Sequence, residues 1–161
     1  MSSTLPSPPV VFEPEFISGL REVFERSIPF NQLLGLRIDD ITPEQVSAHL
    51  EMRPELVGHF TYQRLHGGVI STGLDATGGL AVMAALGARH MADAPLARLQ
   101  RFARLGTIDL RVDYLRAALK GPFQLRAQVL RLGSRVANTR MEFLGPQGEL
   151  LASGAAAYIV S

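Results

Sequence analysis

The sequence has no cysteine, and its charges are nearly balanced. Without cysteine the chain has no disulfide, thiolate nucleophile, cysteine-ligated zinc site or iron–sulfur cluster, and this composition suits a reducing cytoplasm. The 16 Lys and Arg residues against 15 Asp and Glu residues give a net charge of +1. Because so small a charge produces no field that gathers polyanions, we expect no nucleic-acid partner.

Recognisable targeting features are also missing from residues 1–12, MSSTLPSPPVVF. This segment has neither a basic start nor an apolar core of signal-peptide length, and it contains three prolines. We expect a flexible tail over residues 1–12 and a single domain over residues 13–161, which is long enough to bury a core. The hydrophobic fraction of 47% and charged fraction of 19% are those of a globular protein.

A long apolar stretch follows His66 and carries a single charged side chain, Asp75, between Gly68 and Gly87. Its length approaches that of a membrane span. However, it contains five glycines, two threonines and a serine in addition to Asp75, and no aromatic residues flank it closely. We therefore expect no membrane span here.

Apolar spacing predicts helices at two places. Over residues 15–26, Phe16, Leu20, Val23 and Phe24 share one side. The stretch from Gly67 to Gly87 is too long for a strand. It is apolar nearly all round, so other elements must cover it on most sides.

Alternating polarity predicts six strands. In the clearest, Ile108, Leu110, Val112 and Tyr114 face one way, while Asp109, Arg111 and Asp113 face the other. Turns rich in glycine, proline and serine separate the last four strands. The six predicted strands are residues 35–41, 44–52, 107–116, 123–132, 136–144 and 149–160.

Two strands, one apolar helix and four strands in short hairpins describe an antiparallel sheet with a single helix to cover. The economical arrangement is an α+β fold. About six antiparallel strands wrap around one long central helix, with a short extra helix on the amino-terminal side. This is the outline of a hotdog fold.

The segment HGGVISTGLD resembles the signature of the hotdog acyl-CoA thioesterases of the phenylacetate-pathway type. In that family a catalytic Asp follows the His of His-Gly-Gly by nine residues, which is the spacing of His66 and Asp75. GTIDLRVDYLR, VLRLGSRVANTRMEF and ELLASGAAAYIV resemble the family's later strands. IPFNQLLGLRI resembles its first strand region, especially in the bacterial medium- to long-chain acyl-CoA thioesterases. The resemblance runs from about Ile28 to the carboxyl terminus.

This resemblance implies hydrolysis of an acyl-CoA to a free acid and CoA, without a cofactor, since CoA is part of the substrate. Asp75 would act as general base or nucleophile. The N–H groups of Gly67 and Gly68, at a helix start, would hold the oxyanion.

The resemblance also implies supporting roles. His66 would help to hold the carbonyl, and Thr107 would position water or the carboxylate. His59 stands near the place where family members often carry an Asn, and it is a candidate substitute for that amide. Arg116, Arg131, Ser134 and Arg135 are the candidate CoA-binding residues.

Helix geometry separates the two halves of such a site. Asp75 lies eight residues after Gly67, which is roughly 12 Å at 1.5 Å per residue. One carbonyl cannot reach both groups on one helix, so we expect Gly67 of one protomer to meet Asp75 of its partner. A homodimer with two shared sites, or a dimer of dimers, follows from this.

Other interpretations of the same residues remain open. Asp75 would serve as an N-cap if a helix began at Ala76. Arg98, Arg101 and Arg104 repeat every three residues, which favours a solvated helix face over a phosphate site. A hotdog acyl-thioester hydratase or dehydratase, or a non-catalytic acyl-CoA-binding module, would also fit much of the pattern.

Overall fold

The computed structural model describes residues 9–161, so residues 1–8 of the expected tail lie outside the described part. The strands are β1 Arg37–Ile41, β2 Val46–Leu50, β3 Val57–His59, β4 Arg64–Leu65, β5 Gly106–Tyr114, β6 Phe123–Leu132, β7 Val136–Leu144 and β8 Leu150–Ile159. Six of them form one antiparallel sheet in the order β1-β2-β6-β7-β8-β5, and the two short strands β3 and β4 form a separate hairpin. The six strands at the predicted places are all present.

The long apolar helix, α3, spans Gly67–Arg89 and packs against the sheet. Side chains on several sides of α3 are buried, including Leu74, Leu80 and Met83. By length and hydropathy α3 qualifies as a membrane-spanning candidate, but 72% of its most apolar window is buried within the protein. The predicted arrangement of a sheet wrapped around one central helix, the hotdog fold, is confirmed.

The amino-terminal helix is also present, as α1 (Pro14–Arg21) followed by a π-helical segment, Glu22–Ser27. A second helix, α2 (Pro29–Leu34), lies where the family resemblance suggested the first strand region. Pro29 suits a first helical turn because its missing N–H would be unpaired there. Phe12, within the expected tail, belongs to the hydrophobic core.

The basic segment after α3 folds into α4 (Pro95–Leu99) and a 3-10 helix, Gln100–Arg104. The prediction of a solvated arginine face is wrong for Arg98, which is fully buried. Its guanidinium donates to Glu13 Oε2 at 2.5 Å and stacks on the Phe16 ring, 4.5 Å from the ring centre. Arg98 is therefore a buried cation that joins α4 to the start of α1.

Strand β5 lies at one edge of the sheet and contains a β-bulge. Thr107 pairs with Tyr158, and Asp109 pairs with Ala157, so Ile108 is left without a partner. Ile108 is 57% exposed, and the bulge interrupts the predicted alternation that placed it on the same face as Leu110. A bulge reverses the facing of the residues before it.

Candidate active site

The start of α3 is organised by the side chain of His66, which is the N-cap residue. The Gly68 N–H donates to His66 Nδ1 at 2.8 Å. An Nδ1 that accepts a hydrogen bond carries no proton, so the neutral ring has its proton on Nε2. Among residues 9–161 no group accepts a hydrogen bond from Nε2, so this N–H is an available donor beside the helix start.

The amide of Gly67 differs from that of Gly68. Within residues 9–161 the Gly67 N–H has no hydrogen-bond acceptor, whereas the Gly68 N–H is used by His66. The Tyr114 hydroxyl donates to the Gly67 carbonyl oxygen at 2.9 Å and fixes this first residue of the helix. Gly67 thus presents an unpaired N–H at the positive end of a 23-residue helix, where an oxyanion is favoured.

A cleft of about 510 Å³ opens beside this amide. His59, His66 and Gly67 line one part of it, and Tyr114 and Arg116 line another. Arg116 is oriented by a 2.7 Å hydrogen bond from Nη1 to the Leu150 carbonyl. This cleft therefore brings together four of the predicted site residues: His59, His66, Gly67 and Arg116.

Asp75 lies in the middle of α3, two turns further on, so it is not the N-cap of a helix beginning at Ala76. Thr107 Oγ1 donates to Asp75 Oδ1 at 2.8 Å, and the Tyr158 hydroxyl lies 3.2 Å from the same oxygen. Among the described residues, Oδ2 of Asp75 has no donor. One carboxylate oxygen is thus anchored, and the other is available to a reactant.

The bulge in β5 explains how Thr107 reaches Asp75. In an unbroken alternation Thr107 would share the outward face of Asp109 and Arg111. Because the extra residue, Ile108, interrupts the pairing, Thr107 turns inward towards α3. Bulges often re-aim a side chain in this way next to active sites.

Tyr158 is a site residue that sequence reasoning missed. It is buried, and its hydroxyl also donates to the backbone carbonyl of Asp75 at 2.8 Å. Burial, and then the negative charge of Asp75, raise the pKa of Tyr158 far above its usual value, so the hydroxyl remains a donor.

Two sequence features carry a signal for Tyr158. It occupies the inward phase of β8 with Ala152, Gly154 and Ala156, and a buried tyrosine hydroxyl needs an acceptor. Gly78, one turn after Asp75, leaves the space that this hydroxyl fills. A Cβ at Gly78 would lie 2.3 Å from the Tyr158 oxygen.

The remaining candidate residues lie elsewhere. Arg131, Ser134 and Arg135 are exposed near the turn between β6 and β7. Arg89, the last residue of α3, donates to the carbonyls of Leu132 and Gly133 in this turn. The turn therefore lies at the opposite end of α3 from His66 and Arg116, and one protomer does not bring these residues together.

Comparison with known proteins identifies the family of this chain. The sequence profile of the thioesterase superfamily matches residues 62–152. The medium/long-chain acyl-CoA thioesterase YigI of Escherichia coli K12 is 36% identical over 139 residues, which cover 86% of this chain and 90% of YigI.

Two solved structures are similar over most of their length. A Shewanella oneidensis protein related to the thioesterase superfamily is 40% identical with a TM-score of 0.84, covering 93% of this chain and 100% of that one. A protein from Syntrophus aciditrophicus is 38% identical with a TM-score of 0.79, covering 90% and 95%. The chain therefore belongs to the thioesterase superfamily, as a hotdog-fold thioester hydrolase.

Proposed function

We propose that this protein hydrolyses medium- to long-chain fatty acyl-CoA esters to the free acid and CoA. The observation that carries the proposal is that α3 holds both an anchored carboxylate, Asp75, and a helix-start amide, Gly67, that has no acceptor among residues 9–161. The first supplies a base and the second an oxyanion site, which are the two requirements of acyl transfer to water. The proposed length of the acyl chain is taken from the name of the relative YigI, a medium/long-chain acyl-CoA thioesterase.

In the proposed reaction the thioester carbonyl oxygen lies at the Gly67 N–H. The Nε2–H of His66, whose ring Gly68 holds in place, is the second donor. Asp75 Oδ2 removes a proton from water as the oxygen adds to the carbonyl carbon. The tetrahedral intermediate then collapses, the C–S bond breaks, and the proton passes from Asp75 to the departing thiolate.

Asp75 has an alternative role as the direct nucleophile, forming a mixed anhydride that water then hydrolyses. A single turnover in H₂¹⁸O separates general-base catalysis from nucleophilic attack followed by hydrolysis at the Asp75 carbonyl. General-base catalysis puts ¹⁸O into the first acid released. Nucleophilic attack with hydrolysis at the Asp75 carbonyl delivers an oxygen of Asp75 instead.

We further propose that each site is shared within a homodimer. Gly67 and Asp75 are roughly 12 Å apart along α3, too far to act on one carbonyl. A stripe of α3 at 3–4-residue spacing, formed by Gly68, Ser71, Thr72 and Asp75, is not fully buried by the chain's own sheet. β5 is an edge strand with free pairing capacity.

An antiparallel approach of two β5 edges about a two-fold axis suits this arrangement. Thr107 and Tyr114 lie near opposite ends of β5 and contact Asp75 and Gly67, respectively. Such pairing would carry the Thr107 end of one protomer towards the Tyr114 end of the other. A further pairing of dimers into a tetramer is compatible with this proposal.

The cleft at the helix start is the proposed entry for CoA. His59 and Arg116 line it, and Arg131, Ser134 and Arg135 would contribute from another protomer. Guanidinium groups and a hydroxyl are suitable partners for phosphates and pantetheine amides. The proposed reaction uses only water and protein groups, with no cofactor, and the proposed location is the cytoplasm.

Thiol release from short, medium, long and aromatic acyl-CoA esters tests the proposal. We expect turnover that rises with fatty-chain length and falls roughly 10²–10⁴-fold in Asp75→Asn, the usual worth of a general base. Asp40→Asn, at an exposed site, is the matched control. Absence of thiol release from every ester, with the protein folded, would overturn the proposal.

A further inference from the structure

A second concavity of about 480 Å³ lies beside the helix start, between α2 and α3. We call it the α2–α3 groove, and its walls are predominantly apolar. Arg53 and Glu55 also border it. The groove-lining residues that matter here are Phe30, Leu33 and Leu34 of α2, Leu56 of the following 3-10 turn, and Val69 and Thr72 of α3.

Two apolar side chains that line this groove are exposed to water. Phe30 is 55% exposed and Leu33 is 65% exposed. Arg53 donates to the Leu33 carbonyl, which ties the end of α2 to the segment before β3. Exposed apolar side chains that are contiguous and line a concavity are a feature of ligand-binding grooves.

His66 lies at the boundary between the α2–α3 groove and the polar cleft, and it lines both. The cleft on one side of His66 is lined by Arg116 and His59, among others. The groove on its other side is lined by Gly68, Val69 and Thr72, among others. A thioester with its carbonyl at the Gly67 amide therefore has a polar channel on one side and an apolar one on the other.

We infer that the α2–α3 groove binds the alkyl chain of the substrate, and that α2 determines the preference for chain length. This inference rests on the proposed function, because it places the carbonyl at Gly67. The substrate class it names is the straight-chain fatty acyl ester, whose methylenes contact Phe30, Leu33 and Val69. Each methylene that leaves water for such a surface strengthens binding by about fourfold.

The test changes the polarity of the wall without touching the reacting groups. Leu33→Glu places a carboxylate in the groove at an exposed position, where the fold should tolerate it. Leu96→Glu is the matched control, because Leu96 is 66% exposed on another short helix and does not line the groove. For both variants and the wild type, kcat/KM is measured with acyl-CoA esters from acetyl to palmitoyl.

We expect Leu33→Glu to lower kcat/KM at least tenfold for the longest esters and less than twofold for acetyl-CoA, with Leu96→Glu unchanged throughout. Equal losses at every chain length, or no loss at any, would overturn the assignment of the groove. Loss of the wild-type oligomeric state in Leu33→Glu, measured by sedimentation, would also overturn it, because the wall would then be a subunit contact.

Binding of non-hydrolysable S-alkyl-CoA thioethers separates this inference from the proposed function. Affinity that rises with alkyl length in the wild type and not in Leu33→Glu supports the groove even if no ester is hydrolysed. Affinity that does not depend on alkyl length overturns the groove, whatever the hydrolysis assays show.

Discussion

The Tyr158 hydroxyl lies 2.8 Å from the backbone carbonyl oxygen of Asp75 and 3.2 Å from Oδ1 of the same residue. Thr107, directly opposite Tyr158 across the β5–β8 ladder, donates to that Oδ1 at 2.8 Å. Two cross-strand neighbours therefore hold one oxygen of the proposed base. This leaves Oδ2 as the oxygen that would meet water in the proposed reaction.

Tyr158→Phe should reduce kcat by about tenfold, since the single hydroxyl proton is shared between the backbone carbonyl and Oδ1 of Asp75, such a hydrogen bond is worth about 0.5–1.5 kcal/mol, and Thr107 still holds the carboxylate. KM for the acyl-CoA should stay within about twofold, because Tyr158 lies outside both the cleft and the groove. Steady-state kinetics measure both parameters. A variant that raises KM and leaves kcat unchanged would contradict a positioning role.

Separate substitutions of Gly78 and Gly79, two adjacent residues of α3, test the contact between this helix and Tyr158. A Cβ at Gly78 would lie 2.3 Å from the Tyr158 oxygen, whereas a Cβ at Gly79 would have no contact shorter than 3.5 Å. We expect Gly78→Ala to displace Tyr158, lower the free energy of unfolding by about 1–3 kcal/mol and lower kcat. Gly79→Ala should instead raise the free energy of unfolding by up to about 1 kcal/mol, because alanine favours the helix.

Urea unfolding of both variants, with kcat measured alongside, decides between these outcomes. Equal effects of the two substitutions would show that the space beside Gly78 has no special relation to Tyr158.

The sequence predicts the main elements of the fold well, and the site less completely. The apolar run around Asp75 and the alternation in the strands are local patterns, so they identify α3 and the six strands of the sheet. The inward turn of Thr107 depends on a bulge, which arises from pairing between β5 and β8 and leaves no local signature. Family resemblance, not alternation, is what pointed to Thr107.

Arg98 shows the same limit for charged residues. Its three-residue spacing with Arg101 and Arg104 is typical of a solvated face, yet the fold brings Glu13 to it from 85 residues away. Burial of a cation becomes favourable only when such a distant partner is present. No pattern within the basic segment contains that information.

The Glu13–Arg98 pair should make stability depend on pH. The hydrogen bond from Arg98 lowers the pKa of Glu13 below its ordinary value of 4.5. A lowered folded-state pKa gives stability that is present above about pH 4.5 and is lost as the pH falls through the lowered value. Glu13→Gln should therefore lower the urea midpoint at pH 7, and the difference from wild type should shrink near pH 3.

Glu44→Gln, at an exposed position in the turn after β1, is the control and should leave the urea midpoint unchanged at both pH 7 and pH 3. A Glu13→Gln difference that is the same at pH 7 and pH 3 would contradict the charge-based explanation.

The Gly67 amide can be removed without breaking the helix. Gly67 is the first residue of α3, where proline is well tolerated, and His66 has φ −66° and ψ 133°, which suit a residue before proline. Gly67→Pro should lower kcat/KM roughly 10²–10³-fold, as the loss of one oxyanion donor does. Gly67→Ala keeps the N–H and adds the same Cβ near Tyr114, so it should retain most activity.

Mixing Gly67→Pro with Asp75→Asn then tests whether the site is shared. Each variant alone should be nearly inactive. If Gly67 of one protomer acts with Asp75 of its partner, each mixed dimer contains one site with both groups intact and one site with neither. Random reassortment makes half of the dimers mixed, so about a quarter of wild-type activity should return after the two are unfolded and refolded together. If both groups acted within one protomer, every site in the mixture would lack one of them, and activity would stay at the level of the separate variants.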